Sequence, residues 1–167
     1  MNRNFYADRP NQKWVTDISY IPTKQGTLYL SVIRDLFDLS IVAYKTSTRQ
    51  SIKLVLDTVR LAMEKEEVTT ELQLHSDQGF QYASQSYFAL TTQYGITPSM
   101  SRRANPYDNA MAENFFSILK SECIRLFKTE TIREAQTLID SYIAFYNHER
   151  IQLNSKLSSI EKRRLFA

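Results

Sequence analysis

An α/β fold, a mixed sheet with helices on both faces, is predicted by three features of this chain. The first is a block of three closely spaced strand-like runs near the start. The second is a change after residue 50 from strand-like to helical periodicity, interrupted by two more short strand-like runs. The third is a trio of acids, Asp17, Asp77 and Glu113, set in apolar or strand-end surroundings where a plain surface charge is out of place.

The elements follow in order. Residues 1–12 are polar, contain Pro10 and read as an irregular arm. Runs at 13–22, 27–35 and 39–46 are rich in Val, Ile, Tyr, Leu and Thr, and their short breaks suit an antiparallel meander. Ile52, Val55, Leu56, Val59, Ala62 and Met63 then recur at helical spacing, and Glu64 to Glu67 mark a solvated helix end. A strand at 71–76 leads to Asp77. A helix at 84–94 stops at Gly95, and 96–100 forms a fifth short strand. The spacing predicts a helix over 105–126, with Asn105 as its cap, Pro106 at its first position and Asp108 in its first turn. A last helix covers 131–147. The order βββ-α-β-α-β-α-α is that of a ribonuclease-H-like fold with a five-stranded sheet. The expected division is an arm at 1–12, a core at 13–150 and a basic tail at 151–167 that includes Arg163 and Arg164.

Bulk properties narrow the function classes. A length of 167 residues suits one domain that needs no covalent staple. With only 3 Gly and 4 Pro, the chain does not read as disordered or linker-rich. Cys123 is the sole cysteine, so no intramolecular disulfide forms, and it reads as a small buried side chain. No apolar run is long enough for a membrane span, and Met1 to Tyr6 has no apolar signal core, so a cytoplasmic location is expected. The formal charge of +3 permits a polyanionic partner without requiring one.

The acids carry the chemistry. Alternation along the first strand puts Val15, Asp17 and Ser19 on one face and Thr16, Ile18 and Tyr20 on the other. Asp77 ends a strand just before Gly79, a common place for functional side chains in open α/β sheets. Glu113, Ser117 and Lys120 share a helix stripe, because seven residues at about 100° each return to within ~20° of the start. Oxygen ligands without a Cys or His cluster point to Mg²⁺ or Mn²⁺ rather than Zn²⁺. Such carboxylates can hold two divalent ions, a device for moving phosphate esters.

Four segments extend the pattern: Trp14-Val15-Thr16-Asp17-Ile18-Ser19-Tyr20, His75-Ser76-Asp77-Gln78-Gly79-Phe80-Gln81-Tyr82, Asp108-Asn109-Ala110-Met111-Ala112-Glu113-Asn114-Phe115-Phe116-Ser117-Ile118-Leu119-Lys120 and Tyr146-Asn147-His148-Glu149-Arg150-Ile151-Gln152. Thirty-five residues separate Asp77 from Glu113. In these segments and this spacing the chain resembles the catalytic core of bacterial insertion-sequence transposases of the retroviral-integrase type. The resemblance implies a ribonuclease-H-like fold and divalent-metal-dependent DNA cleavage and strand transfer at mobile-element ends. Asp17, Asp77 and Glu113 match the family's acids and would hold two Mg²⁺ or Mn²⁺ ions. Lys120 matches a basic DNA contact. Arg102, Arg103, Asn109 and Asn114 are further candidates for touching DNA, and His75, Ser76 and Gln78 would support the strand end.

The resemblance also implies that the protein works as a homo-oligomer on element and target DNA, acts at the nucleoid and depends on an upstream DNA-binding region or companion protein. Trp14, Tyr82, Tyr107 and Tyr146 could stack on bases, although core positions suit most of them. Two departures stand out: Ala104 where the family usually has Gly, and Ser159 and Lys162 where it usually has Pro and Tyr. Two other readings compete. One is a ribonuclease-H-like nuclease acting on RNA–DNA hybrid, and the other is an inactive remnant that binds DNA or protein.

Overall fold

Eleven residues, Lys13–Thr23, form the central strand β1 of the computed structural model, which describes residues 4–69, 71–103 and 105–166. Strand β2 (Gly26–Asp35) returns antiparallel to it, and β3 (Ile41–Ser47) continues the meander. Gly26, at φ 127°, takes a backbone angle in the turn that a side chain would resist. Helix α1 (Ile52–Lys65), capped by Ser51, crosses to β4 (Leu72–Ser76). Helix α2 (Gln85–Gln93) crosses to β5 (Ile96–Met100) through Gly95, whose φ of 68° ends the helix. β4 lies parallel to β1, and β5 parallel to β4, giving a mixed sheet in the order β3-β2-β1-β4-β5. The strands and the first two helices fall within two residues of their predicted limits.

The two faces bury different cores. Trp14, Ile33 and Leu74 pack with Val55 and Val59 of α1 and Tyr87 and Leu90 of α2. On the other face, Ile21, Leu30 and Val32 meet Phe115 and Leu119 of α3 (Ala110–Leu119) and Ile139 and Tyr146 of α4 (Ile132–His148). Trp14, Tyr82 and Tyr146 are all buried, so they stack on no base; the side chain of Tyr107 lies outside the described residues. Arg34, buried between the layers, donates to Met111 O, Asn114 Oδ1 and Tyr146 OH, which fastens α3 and α4 to the sheet. Among the described residues no helix is long and apolar enough to cross a membrane.

The helix predicted over 105–126 is three pieces. A 3₁₀ turn, Pro106–Asn109, precedes α3, and a π turn, Lys120–Ile124, follows it. Pro106 does open the first turn. The cap position belongs to Asn109, whose amide makes no cap bond to the helix. The π turn has local and distant causes. Ser121 Oγ bonds back to the carbonyls of Ser117 and Ile118, Cys123 is drawn into the core, and Glu122 is held by Tyr142 and Arg150.

The basic segment after 150 is structured. It forms a small hairpin, β6 (Ile151–Gln152) with β7 (Leu157–Ser158), and then α5 (Ser159–Phe166). Arg163 is spent internally, donating to Asp35 and Asp38 at 2.7 Å each and to Glu66. Lys162, at one of the two departures in the tail, donates to Phe37 O.

Candidate active site

Strand register brings the first two acids together. Val15 pairs with His75 across the parallel β1–β4 ladder, and two further residues on each strand lead to Asp17 and Asp77. Both therefore project on the face that α3 covers. Glu113, on the first turn of α3, completes the group. It lines two adjoining clefts, of about 370 and 330 Å³, one shared with Asp77 and the other with Asp17.

Each carboxylate has its own support. Asp17 accepts from Ile18 N (2.8 Å) and from Asn109 Nδ2 (3.1 Å). Asp77 accepts from Gly79 N at 2.7 Å. A Cβ at Gly79 would lie 2.9 Å from Asp77 Oδ1, so the missing side chain leaves room for the acid. Burial, followed by the charges of Asp77 and Glu113, pushes the Asp17 carboxyl up to about 7, against the hydrogen bonds from Ile18 and Asn109.

The supporting residues divide into those that meet expectation and those that do not. His75 is buried with its ring nitrogens bonded to Ser99 Oγ (2.9 Å) and Ser101 Oγ (3.1 Å), and burial lowers its pKa, so it braces β4 against β5. Ser76 is also buried, and its carbonyl accepts from Ser101 N. Gln78 is exposed at the cleft beside Arg102 and Arg103. Asn109, proposed from sequence as a DNA contact, is 6% exposed and bonded to Asp17, so its visible partner is the acid. Asn114 is likewise engaged by Arg34. Ala104, the other family departure, lies outside the described residues.

Lys120 lines the Asp17 cleft with its ammonium 5.1 Å above the Tyr20 ring. Two residues not singled out from the sequence stand beside it: Tyr20, a strand aromatic left exposed, and Arg125, whose place depends on the departure from a regular helix.

The donor set suits a hard divalent cation: three carboxylates, plus a buried Asn109 Oδ1 that has no hydrogen-bond partner among the described residues. As the side chains stand, no three His, Cys, Asp or Glu side chains among the described residues form a ready cage, and Asp77 accepts from the Gly79 amide. A raised Asp17 pKa means that folding takes up a proton, so this group's stabilisation is lost as pH rises from about 4 through 7. The displacement sets an upper bound of ~4 kcal/mol, and partial exposure reduces it to about 2. In EDTA, Asp17→Asn should therefore melt higher than the parent at pH 8 and alike at pH 4. Asn109 can flip its amide to suit the new partner. Equal melting at pH 8 would contradict the electrostatic picture of the site.

The sequence matches the integrase core domain profile over residues 7–106 and a second integrase core domain profile over 113–164. It is 45% identical over 152 residues to the transposase for insertion sequence element IS904 of Lactococcus lactis, covering 90% of this chain and 60% of that protein. It is 40% identical over 164 residues to the putative transposase InsK for insertion sequence element IS150 of Escherichia coli, so the chain spans about 60% of the length of these two curated relatives. The fold resembles the simian T-cell lymphotropic virus intasome, solved with PP2A regulatory subunit B56 gamma, with a TM-score of 0.83 at 19% identity over 94% of this chain and 55% of that one. It also resembles the HTLV-2 integrase catalytic core domain solved with magnesium, with a TM-score of 0.73 at 16% identity over 95% of this chain and 99% of that one.

Proposed function

This chain belongs to the integrase core domain family and is a transposase/integrase catalytic domain with a ribonuclease-H-like fold; on that footing we propose that it cuts and joins DNA strands with Asp17, Asp77 and Glu113. The observation that carries the reading is the meeting of Asp17 and Asp77 at the parallel β1–β4 seam, under Glu113 of α3. These three side chains would hold Mg²⁺ or Mn²⁺, two ions per site. The magnesium in the HTLV-2 core supports that choice of metal. When bound, the ions supply Lewis acidity to the attacking and leaving oxygens of an in-line displacement.

The protein's own part is placement. Ile18 N and Asn109 Nδ2 donate to Asp17, and Gly79 N donates to Asp77. Lys120, on the stripe of Glu113, and Arg102 and Arg103, beside Asp77, take flanking phosphates and align the scissile one. The attacking oxygen comes from water in cleavage and from a DNA 3′-hydroxyl in joining. Its new P–O bond forms as the bond to the 3′ leaving oxygen breaks, and its proton passes to solvent. No side-chain nucleophile is required. Ser101, the hydroxyl beside Asp77, is already bonded to His75 and Ser76. Element ends, target DNA and a second copy of the chain are the partners this reading implies.

The test is nicking of an end-labelled branched DNA in Mg²⁺, Mn²⁺ or EDTA, with an RNA–DNA hybrid run in parallel. Cleavage of the branched DNA in either metal and none in EDTA is the expected result. Preference for the hybrid would shift the assignment to a ribonuclease. No cleavage, together with no metal-induced rise in melting temperature, would leave an inactive remnant.

A further inference from the structure

We infer that Arg125 is a second backbone-phosphate contact on the active face, placed there by the π turn. The inference rests on the DNA-processing reading above. Arg125 is twelve positions after Glu113, which in a regular α-helix leaves them about 120° apart. The π turn inserts one extra residue, and the same count then leaves them within ~20°. The bond that makes the difference is present: Arg125 N donates to Lys120 O at 3.0 Å, five residues back. Arg125 accordingly lines the cleft that holds Asp17, Glu113 and Lys120.

The turn is held from outside the helix. Glu122 accepts hydrogen bonds from Arg150 Nε and Nη2 and a further one from Tyr142 OH, while Cys123 anchors the opposite side in the core. Those anchors leave Arg125 on the outer side. Arg34, Arg150 and Arg163 are engaged internally, and Arg60 pairs with Asp57. Arg125 is exposed, and among the described residues its guanidinium makes no ion pair or hydrogen bond. The cleft is therefore polarised, with carboxylates at one end and Lys120 followed by Arg125 at the other. That order suits a DNA strand whose scissile phosphate lies at the acids and whose neighbouring phosphates run along the π turn.

The test is salt-dependent binding of a fluorescein-labelled branched DNA in EDTA, read by anisotropy. Arg125→Ala should lower the slope of log affinity against log salt by about 0.7–0.9, whatever the DNA sequence. Arg125→Lys should keep most of the slope. Arg60→Ala, which removes the same charge from the opposite face of the sheet, should leave it unchanged. An Arg125→Ala slope equal to the parent's, beside a Lys120→Ala slope that falls, would overturn the inference and spare the functional reading. A parent chain with no salt-dependent binding would overturn both.

Discussion

Asp77→Asn is expected to leave a folded protein that no longer cuts DNA. The replacement keeps an oxygen to accept from Gly79 N, so stability should change by less than about 1 kcal/mol. It removes the charge that a divalent cation needs, and cleavage should fall at least ~10³-fold, equivalent to about 4 kcal/mol of barrier. Gly79→Ala gives a graded companion. Its Cβ would sit 2.9 Å from Asp77 Oδ1 and 3.1 Å from Gln81 Oε1, so the acid must shift while its charge remains. That variant should lose part of the activity. The branched-DNA assay with a thermal melt of each variant is the measurement, and cleavage by Asp77→Asn within tenfold of the parent would remove Asp77 from the reaction.

The second large effect concerns stability. Arg163→Met should cost about 3–5 kcal/mol at pH 7 and lower the melting temperature by roughly 10 °C. The guanidinium is the cation shared by Asp35, Asp38 and Glu66, and the two aspartate side chains are wholly buried. Removing it leaves buried charge without compensation, which is worse than never having buried it. Burial, and then the neighbouring Asp38, already push Asp35 up to about 6 with Arg163 in place. A raised carboxyl pKa means that folding takes up a proton, so the penalty grows as pH rises through that value and eases below it. Urea unfolding at pH 7 and pH 5 should show a deficit that narrows in acid. A variant as stable as the parent at pH 7 would mean that this cluster contributes little.

The sheet was legible in the sequence because its signals are local. Pro22 to Gly26 and Asp35 to Asp38 mark turns, and the switch from strand to helix spacing after Gln50 marks the crossover. The three acids could be read for a related reason: each breaks a local pattern strong enough to make it conspicuous. What escaped depends on distant partners. Asn109, bonded to Asp17 92 positions away, leaves helical backbone angles where the predicted helix parts from its first turn. The π turn answers to Arg150, 28 positions from Glu122, and with it the place of Arg125. Arg163 reaches Asp35 across 128 positions, turning the basic tail into a brace. Periodicity within a window cannot register such pulls.

The short seam between β1 and β4 also sets how this chain can change in length. Only Lys13, Trp14 and Val15 pair across it before both strands run two residues on to their aspartates. One residue gained or lost between Val15 and Asp17, or between His75 and Asp77, would turn one carboxylate to the opposite side of the sheet. The β1–β2 turn, at exposed Lys24 and Gln25, lies at the far end of the strand and can lengthen without touching that alignment. Insertions and deletions that survive in descendants of this sequence should therefore collect in that turn and spare the two short stretches beside the seam.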